Sequence, residues 1–230
     1  GGFVAGDGSE NRYDGASLAS KGIVTVTVNY RLGVFGFFAL PALADESPRH
    51  AAGNYGLLDQ VAALRWVHAN IARFGGDPAQ VTIAGESAGS IAVSALMTSP
   101  VSRGLFARAI GESGALIAPI APLPLPKREQ QGEAFVKKLG VDSLGALREL
   151  PAERLLQATR GQHGDADVDL DGWFLREPPA VTMARGKQEK MPLLLGSNSQ
   201  EGFYTAILDN QPPTPENYRA AMRRRSEEQT

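Results

Sequence analysis

Apolar and polar residues along this chain follow two alternating periods. "GIVTVTVNY", residues 22–30, is rich in the β-branched residues Val, Ile and Thr, which predicts a strand. In "GLLDQVAALRWVHANIARF", residues 56–74, Leu57, Val61, Leu64 and Ile71 recur at helical spacing, and Gly75, Gly76 and Pro78 supply the stop. A short apolar strand is expected at 81–84, a helix after it, a strand ending in a glycine turn within 106–115, and a last strand in "MPLLLGSNSQEGF", residues 191–203. Between these, 119–126 reads as a Pro-rich linker and the stretch to about 160 as two or three short helices, so 119–170 reads as a helical insertion; the tail from Pro212 reads as helical. Alternating strands and helices of this kind predict an α/β fold with a mostly parallel sheet covered by helices on both faces. No internal repeat is visible. Four apolar strands would leave open edges, which suggests an incomplete sheet cut from a larger protein.

The corner "VTIAGESAGSIAV", residues 81–93, narrows the picture. Val81 to Ala84 are β-formers and Ile91 to Val93 begin a helix, with almost no loop between them. A strand that turns straight into a helix folds sharply, and its neighbours must be small, as Gly85, Ala88 and Gly89 are. Ser87 then stands at the tip. Gly85-Glu86-Ser87-Ala88-Gly89 matches G-x-S-x-G, the nucleophile elbow of α/β-hydrolases, and the helix that follows points unpaired N–H groups at the place where an oxyanion would develop. The plain alternative is a small-residue turn with a helix-capping serine.

Composition closes several other routes. Of the 230 residues, 43% are hydrophobic and 21% charged, which suits one sizeable core. The net charge of -2 leaves no broad basic field for nucleic acid, and the single dense basic run, Arg223 to Arg225, is followed by Glu227 and Glu228 and reads as a solvated helix face. With no Cys there is neither a disulfide nor a thiolate metal site within the chain, and no apolar run reaches the length of a membrane span. The opening "GGFVAGDG" carries no Met and no signal peptide, and an upstream segment is expected to be missing.

Several blocks in order, "GGF" at 1–3, "VTVNYRLGVFGFF" at 26–38, "GNYGLLDQVAALRWVHANIARFGGDP" at 53–78, "VTIAGESAGS" at 81–90 and "GSNSQEGF" at 196–203, resemble the type-B carboxylesterase family, which includes bacterial carboxylesterases and cholinesterases. The resemblance implies an α/β-hydrolase fold, hydrolysis of a small-molecule carboxylic ester through an acyl-enzyme, no cofactor, and a single partial catalytic domain over 1–230. It also implies roles: Ser87 as nucleophile, Glu201 as the acid, and backbone N–H groups of Gly1, Gly2 and Ala88 as the oxyanion hole, with Glu86 adding negative charge and Ser113 as near-site support. From the residues alone, Glu201 also reads as a loop carboxylate just past a strand. The family's catalytic histidine lies beyond the acid, and no His follows Glu201; the three histidines, His50, His68 and His163, all precede it. The chain is thus expected to be a central piece that lacks the catalytic His, with the N-terminal and C-terminal parts outside it.

Two stretches imitate sites. "GESGA" at 111–115 ends in Ala115 where an elbow needs glycine. In "DVDLDGWFLREPP", Asp167, Asp169, Asp171 and Gly172 occupy positions one, three, five and six of a calcium loop, but Pro178 stands at position twelve and Glu177 is one residue early, so a turn at Asp171-Gly172 explains the stretch better. The rival from another class is a non-catalytic binding protein on the esterase fold. Amides, thioesters or lipids are open as alternative acyl substrates.

Overall fold

The structure, a computed structural model, describes residues 1–117, 120–159, 168–201, 207, 208 and 210–227. Helix α4 (Tyr55–Asn70) shows how the sequence period becomes a buried face. Leu57, Val61 and Val67 are buried while His68 and Trp66 face outward. A 3-10 turn over Ile71–Phe74 follows, and Gly75, at φ 82°, ends it in the left-handed conformation that glycine adopts without penalty. Asp77 then accepts the Ala79 N–H and caps the short turn Pro78–Gln80 that feeds the first strand. Before α4 come three short helices, α1 (Ala16–Ala19), α2 (Gly33–Phe37) and α3 (Pro41–Glu46).

Strand β1 (Thr82–Glu86) pairs in parallel with β2 (Arg108–Glu112), Thr82 opposite Arg108 and Glu86 opposite Glu112. The strand order is β1-β2-β5, with β5 at Leu193–Gly196. Helix α5 (Ala88–Thr98) packs over β1 and β2 and is buried on nearly every side, from Ser90 through Met97. A helix that is apolar all round belongs at the centre of a fold. It anchors a core that includes Phe3, Phe37, Leu57, Val61, Ile83, Phe106, Leu116 and Phe174.

The stretch 22–30 departs from its pattern. It forms no strand: Ile23, Val24, Val26 and Val28 are 39–51% exposed, and no ladder includes them among the described residues. β-branched residues fit a strand only where a neighbouring backbone offers a ladder. Val24, Val26 and Val28 line a cavity of 910 Å³ together with Val81 to Ala84 of the β1 region, and no backbone hydrogen bond joins the two stretches among the described residues. The segment is held by side chains instead: Asn29 accepts the Gly8 N–H, and the Arg31 N–H and guanidinium reach Asp59 at 2.7–2.9 Å.

The Pro-rich stretch is also more ordered than a linker. Leu123–Pro124 forms β3 and pairs in parallel with β4 (Asp169–Leu170), and Leu125 opens α6 (Leu125–Leu139), with Pro126 in its first turn where no N–H is needed. Helices α7 (Leu144–Arg148) and α8 (Ala152–Thr159) follow, and α9 (Pro179–Ala184) precedes β5. Arg128 of α6 is the tether. Its Nε lies 2.9 Å from Oδ1 of the fully buried Asp169, its Nη2 donates to the Phe37 carbonyl, and Asn54 exchanges two bonds of 3.0 Å with the Asp169 backbone. Gly53, at φ 92°, lies so close that a Cβ there would overlap the Asp169 carboxylate.

Contacts divide the chain into Gly1–Leu195 and Gly196–Thr230. In the second unit α10 (Pro215–Glu227) is capped by Thr214, whose Oγ1 accepts the Asn217 N–H, and it carries Arg223 and Arg224 exposed, as the basic run predicts.

Candidate active site

Ser87 is the single residue between β1 and α5. Its backbone is at φ 54°, ψ −118°, a conformation that costs a non-glycine residue about 1–3 kcal/mol and persists only where its surroundings hold it. Its N–H donates to the Glu112 carbonyl at 2.9 Å, and its own carbonyl accepts the Ile91 N–H at 3.0 Å. Gly85 is required because a Cβ there would overlap the Gly89 backbone, whereas a Cβ on Gly89 would meet open space. Of the two motif glycines, only the first is fixed by a collision at its own Cβ. Ser87 is exposed, Ala88 is buried beside it, and Glu86 is exposed at the strand end.

The register places a second serine alongside. Gly85 pairs with Gly111 and Glu86 with Glu112, so Ser113 follows β2 as Ser87 follows β1, and its φ of 53° repeats the left-handed corner. The turn after Ser113 is pressed onto Ser87: a Cβ on Gly114 would come within 2.6 Å of the Ser87 carbonyl oxygen. Two hydroxyls of α5 hold that turn. Ser90 Oγ donates to the Gly114 carbonyl at 2.5 Å, and Ser94 Oγ accepts the Leu116 N–H at 2.7 Å. Nothing in the sequence marks these two serines, because their partners lie more than twenty positions away.

Ser87, Ala88, Glu86 and Gly1 line the same 910 Å³ cavity; its walls include Val26, Val28, Tyr30, Ile83 and Leu96. Burial raises the Tyr30 phenol above its ordinary pKa, and Tyr13 nearby adds to the rise. Gly2 is not among the lining residues. It sits at φ 66° in a turn whose next residue, Phe3, is driven into the core against Phe37 and Tyr30, ring centroids 4.9 and 6.4 Å apart. The Phe3 carbonyl accepts the Gly33 N–H at 2.7 Å.

Glu201 lies in the second unit, past β5, where its Oε1 accepts the Asn198 N–H at 2.5 Å. His68 is exposed on α4 and His50 is exposed in a loop at φ 50°; neither lines the cavity that Ser87 lines. His163 and Asp167 fall outside the described residues.

The remaining carboxylates of the calcium-like stretch have other partners. Asp169 meets Arg128, and Asp171 Oδ1 accepts the Trp173 and Leu175 N–H groups at 3.0 and 2.9 Å. Glu177 pairs with Arg185 at 2.6 Å, and Gly172, at φ 76°, makes the turn that the Asp-Gly pair predicts. No group of three or more metal-ligating side chains occurs among the described residues, and no helix among them is long and apolar enough to cross a membrane.

The chain is 43% identical over 232 residues to the fumonisin B1 esterase of Sphingopyxis macrogoltabida and 38% identical over 235 residues to the para-nitrobenzyl esterase of Bacillus subtilis (strain 168). Each alignment covers 96% of this chain, but 41% and 46% of the respective relative, so the chain spans less than half the length of either. The fold superposes on the crystal structure of a Geobacillus stearothermophilus carboxylesterase with a TM-score of 0.85 at 36% identity, covering 98% of this chain and 50% of that one. The family model described as the carboxylesterase family matches residues 1–229, and with the elbow at Ser87, the parallel sheet and the blocks around them, the chain belongs to the carboxylesterase family, with the α/β-hydrolase fold.

Proposed function

We propose that the whole protein is a serine hydrolase of small-molecule carboxylic esters, working through an acyl-enzyme on Ser87 over residues 1–230 as part of one catalytic domain. The observation that carries this reading is the left-handed Ser87 corner, clamped by the close approach of Gly85 to Gly89 and by the Glu112 carbonyl. A serine exposed at such a corner, at the start of an eleven-residue helix, has the first-turn N–H groups of that helix beside it without intrahelical partners.

In the proposed reaction Ser87 Oγ attacks the ester carbonyl carbon while a histidine supplied from outside these 230 residues takes its proton. Glu201 orients that histidine. The tetrahedral oxyanion is stabilised by the N–H groups of Gly2 and Ala88, with that of Gly1 where it is amide-linked to a preceding residue. The C–O bond to the alcohol breaks, the histidine returns its proton to the departing alcohol, and water then attacks the acyl carbon to release the acid and restore the Ser87 hydroxyl. Ser113, beside Ser87 by register, supports the constellation, and the carboxylate of Glu86 favours a cationic group near the centre.

The test is covalent labelling with a fluorophosphonate and turnover of a nitrophenyl ester by the whole protein, with and without Ser87→Ala. A single adduct on Ser87, with both labelling and turnover abolished in the variant, is the expected result. Full turnover by Ser87→Ala would overturn the assignment, and an unlabelled, inactive protein that still binds esters would favour the non-catalytic binding reading.

A further inference from the structure

Helix α5 carries an unusual burden for a core element. Ser90 and Ser94 are 1% and 6% exposed and lie one helical turn apart, on one face. Buried hydroxyls are retained where they have partners, and both of these reach out of the helix to the same turn. Ser90 bonds the Gly114 carbonyl and Ser94 bonds the Leu116 N–H. Ser94 also donates to the Ile91 carbonyl at 2.7 Å, so it works as acceptor and donor at once. The turn they grip follows directly on Glu112, the last residue of β2, whose carbonyl receives the Ser87 N–H, and its Gly114 abuts the Ser87 carbonyl.

Ser90 sits closest to this junction. A Cβ on Gly111 would come within 2.8 Å of Ser90 Oγ, so that glycine leaves the room the hydroxyl occupies. The chain of contacts runs from Ser90 Oγ to the Gly114 carbonyl, from Gly114 to the Ser87 carbonyl, and from Glu112 back to the Ser87 N–H. Ser87 holds a left-handed φ that its own side chain does not favour, so it depends on such outside support.

We infer that Ser90 is a positioning residue for Ser87: its hydroxyl fixes the 113–116 turn, and the turn holds the nucleophile's backbone in its reactive conformation. This rests on the reading of Ser87 as the nucleophile. Ser90 is not among the residues that line the cavity, so its loss acts on the geometry of attack and not on ester binding.

Ser102 supplies the matched control. It is fully buried, and its Oγ donates to the Leu96 carbonyl at 2.5 Å and to the Ser99 carbonyl at 3.2 Å, beyond the opposite end of α5 from Ser87. Ser90→Ala and Ser102→Ala each remove one buried hydroxyl with a carbonyl partner. The experiment measures, in the whole protein, the rate constant for fluorophosphonate inactivation, kcat and KM for a nitrophenyl ester, and the thermal midpoint for both variants and for Ser90→Thr. Ser90→Ala is expected to lower the inactivation rate and kcat about tenfold, with KM unchanged within about twofold. Ser102→Ala is expected to lower the midpoint comparably and leave the inactivation rate as it was, and Ser90→Thr, which keeps the hydroxyl, to recover most of the loss. If the unaltered protein is labelled at Ser87 and Ser90→Ala behaves like Ser102→Ala, the inference on Ser90 fails alone. If the unaltered protein is not labelled at all, the nucleophile reading fails and this inference with it.

Discussion

Replacing Arg128 by Met tests how α6 is fastened to the rest of the first unit. The guanidinium reaches the Asp169 carboxylate at 2.9 Å, the Phe37 carbonyl at 3.0 Å and Gln131 at 2.6 Å, and Asp169 is fully buried. Methionine fills much of the same volume but leaves a buried carboxylate without its cation. Breaking one side of a buried ion pair costs about 3–5 kcal/mol, which is a large part of the 5–15 kcal/mol that stabilises an ordinary domain. With a urea m value of about 2 kcal/mol/M, a loss of about 4 kcal/mol lowers the unfolding midpoint by about 2 M. The double variant Arg128→Met with Asp169→Leu removes both charges and is expected to recover most of that loss, since apolar replacement of a buried pair is often neutral. A deficit of about 1 kcal/mol is expected to persist because the Phe37 carbonyl still lacks its donor. A single variant that loses less than about 1 kcal/mol, or a double variant as unstable as the single, would refute the claim that this pair carries the junction.

Gly85→Ala places a Cβ against the Gly89 backbone and can fit only if the first turn of α5 moves off β1, so fluorophosphonate labelling of Ser87 should fall more than about tenfold with a loss of about 1–3 kcal/mol in stability. Gly89→Ala meets open space and should hold stability within about 1 kcal/mol; equal damage from the two substitutions would show that the collision is not what fixes Gly85. Asp171 has its carboxyl pushed above the ordinary aspartate range by burial, against the pull of the Leu175, Asn54, Trp173 and Phe174 hydrogen bonds. Its folded form therefore holds its proton to higher pH than its unfolded form, and its contribution to stability is present below the ordinary aspartate pKa and lost as pH rises through the folded value. Asp171→Asn should flatten that segment of the stability-against-pH curve measured by urea unfolding, and an unchanged slope would exclude Asp171 as its source.

How much of this was legible in the sequence depends on how far away each residue's partner lies. The strand, corner and helix at 82–98 are written in local period and small residues, and the structure keeps all three, with the strand running two residues further, to Glu86, and the helix starting three residues earlier, at Ala88. Residues 22–30 are equally rich in strand-forming residues, yet a strand is a relation between two backbones, and theirs finds none among the described residues. The acidic run around Asp169 read as a weak calcium loop because spacing alone cannot show that Arg128, forty-one positions earlier, neutralises it. Ser90 and Ser94 look like ordinary helix residues for the same reason. Of the site residues, Ser87 and Ala88 share one cavity with Glu86 and Gly1, while Glu201 belongs to the second unit.

The paired corners at Ser87 and Ser113 pose the sharpest remaining question, since both follow Gly-Glu, lie side by side in register and share a left-handed backbone. What separates them is the chain that follows. Ser87 runs into the eleven residues of α5, whose first N–H groups have no intrahelical partners and, in the proposed reaction, receive the oxyanion. Ser113 runs into Gly114 and Ala115 and then buries Leu116 completely, and its turn is consumed by hydroxyls from α5. Equal serines with unequal donors should differ in reactivity, and only Ser87 should acylate. Ser113→Ala is then expected to leave the fluorophosphonate adduct on Ser87. In Ser87→Ala no adduct should move to Ser113, although its φ is nearly the same. Peptide mapping decides the matter: an adduct on Ser113 in that variant would mean that the left-handed corner alone makes a nucleophile, and that the helix behind Ser87 is not what selects it.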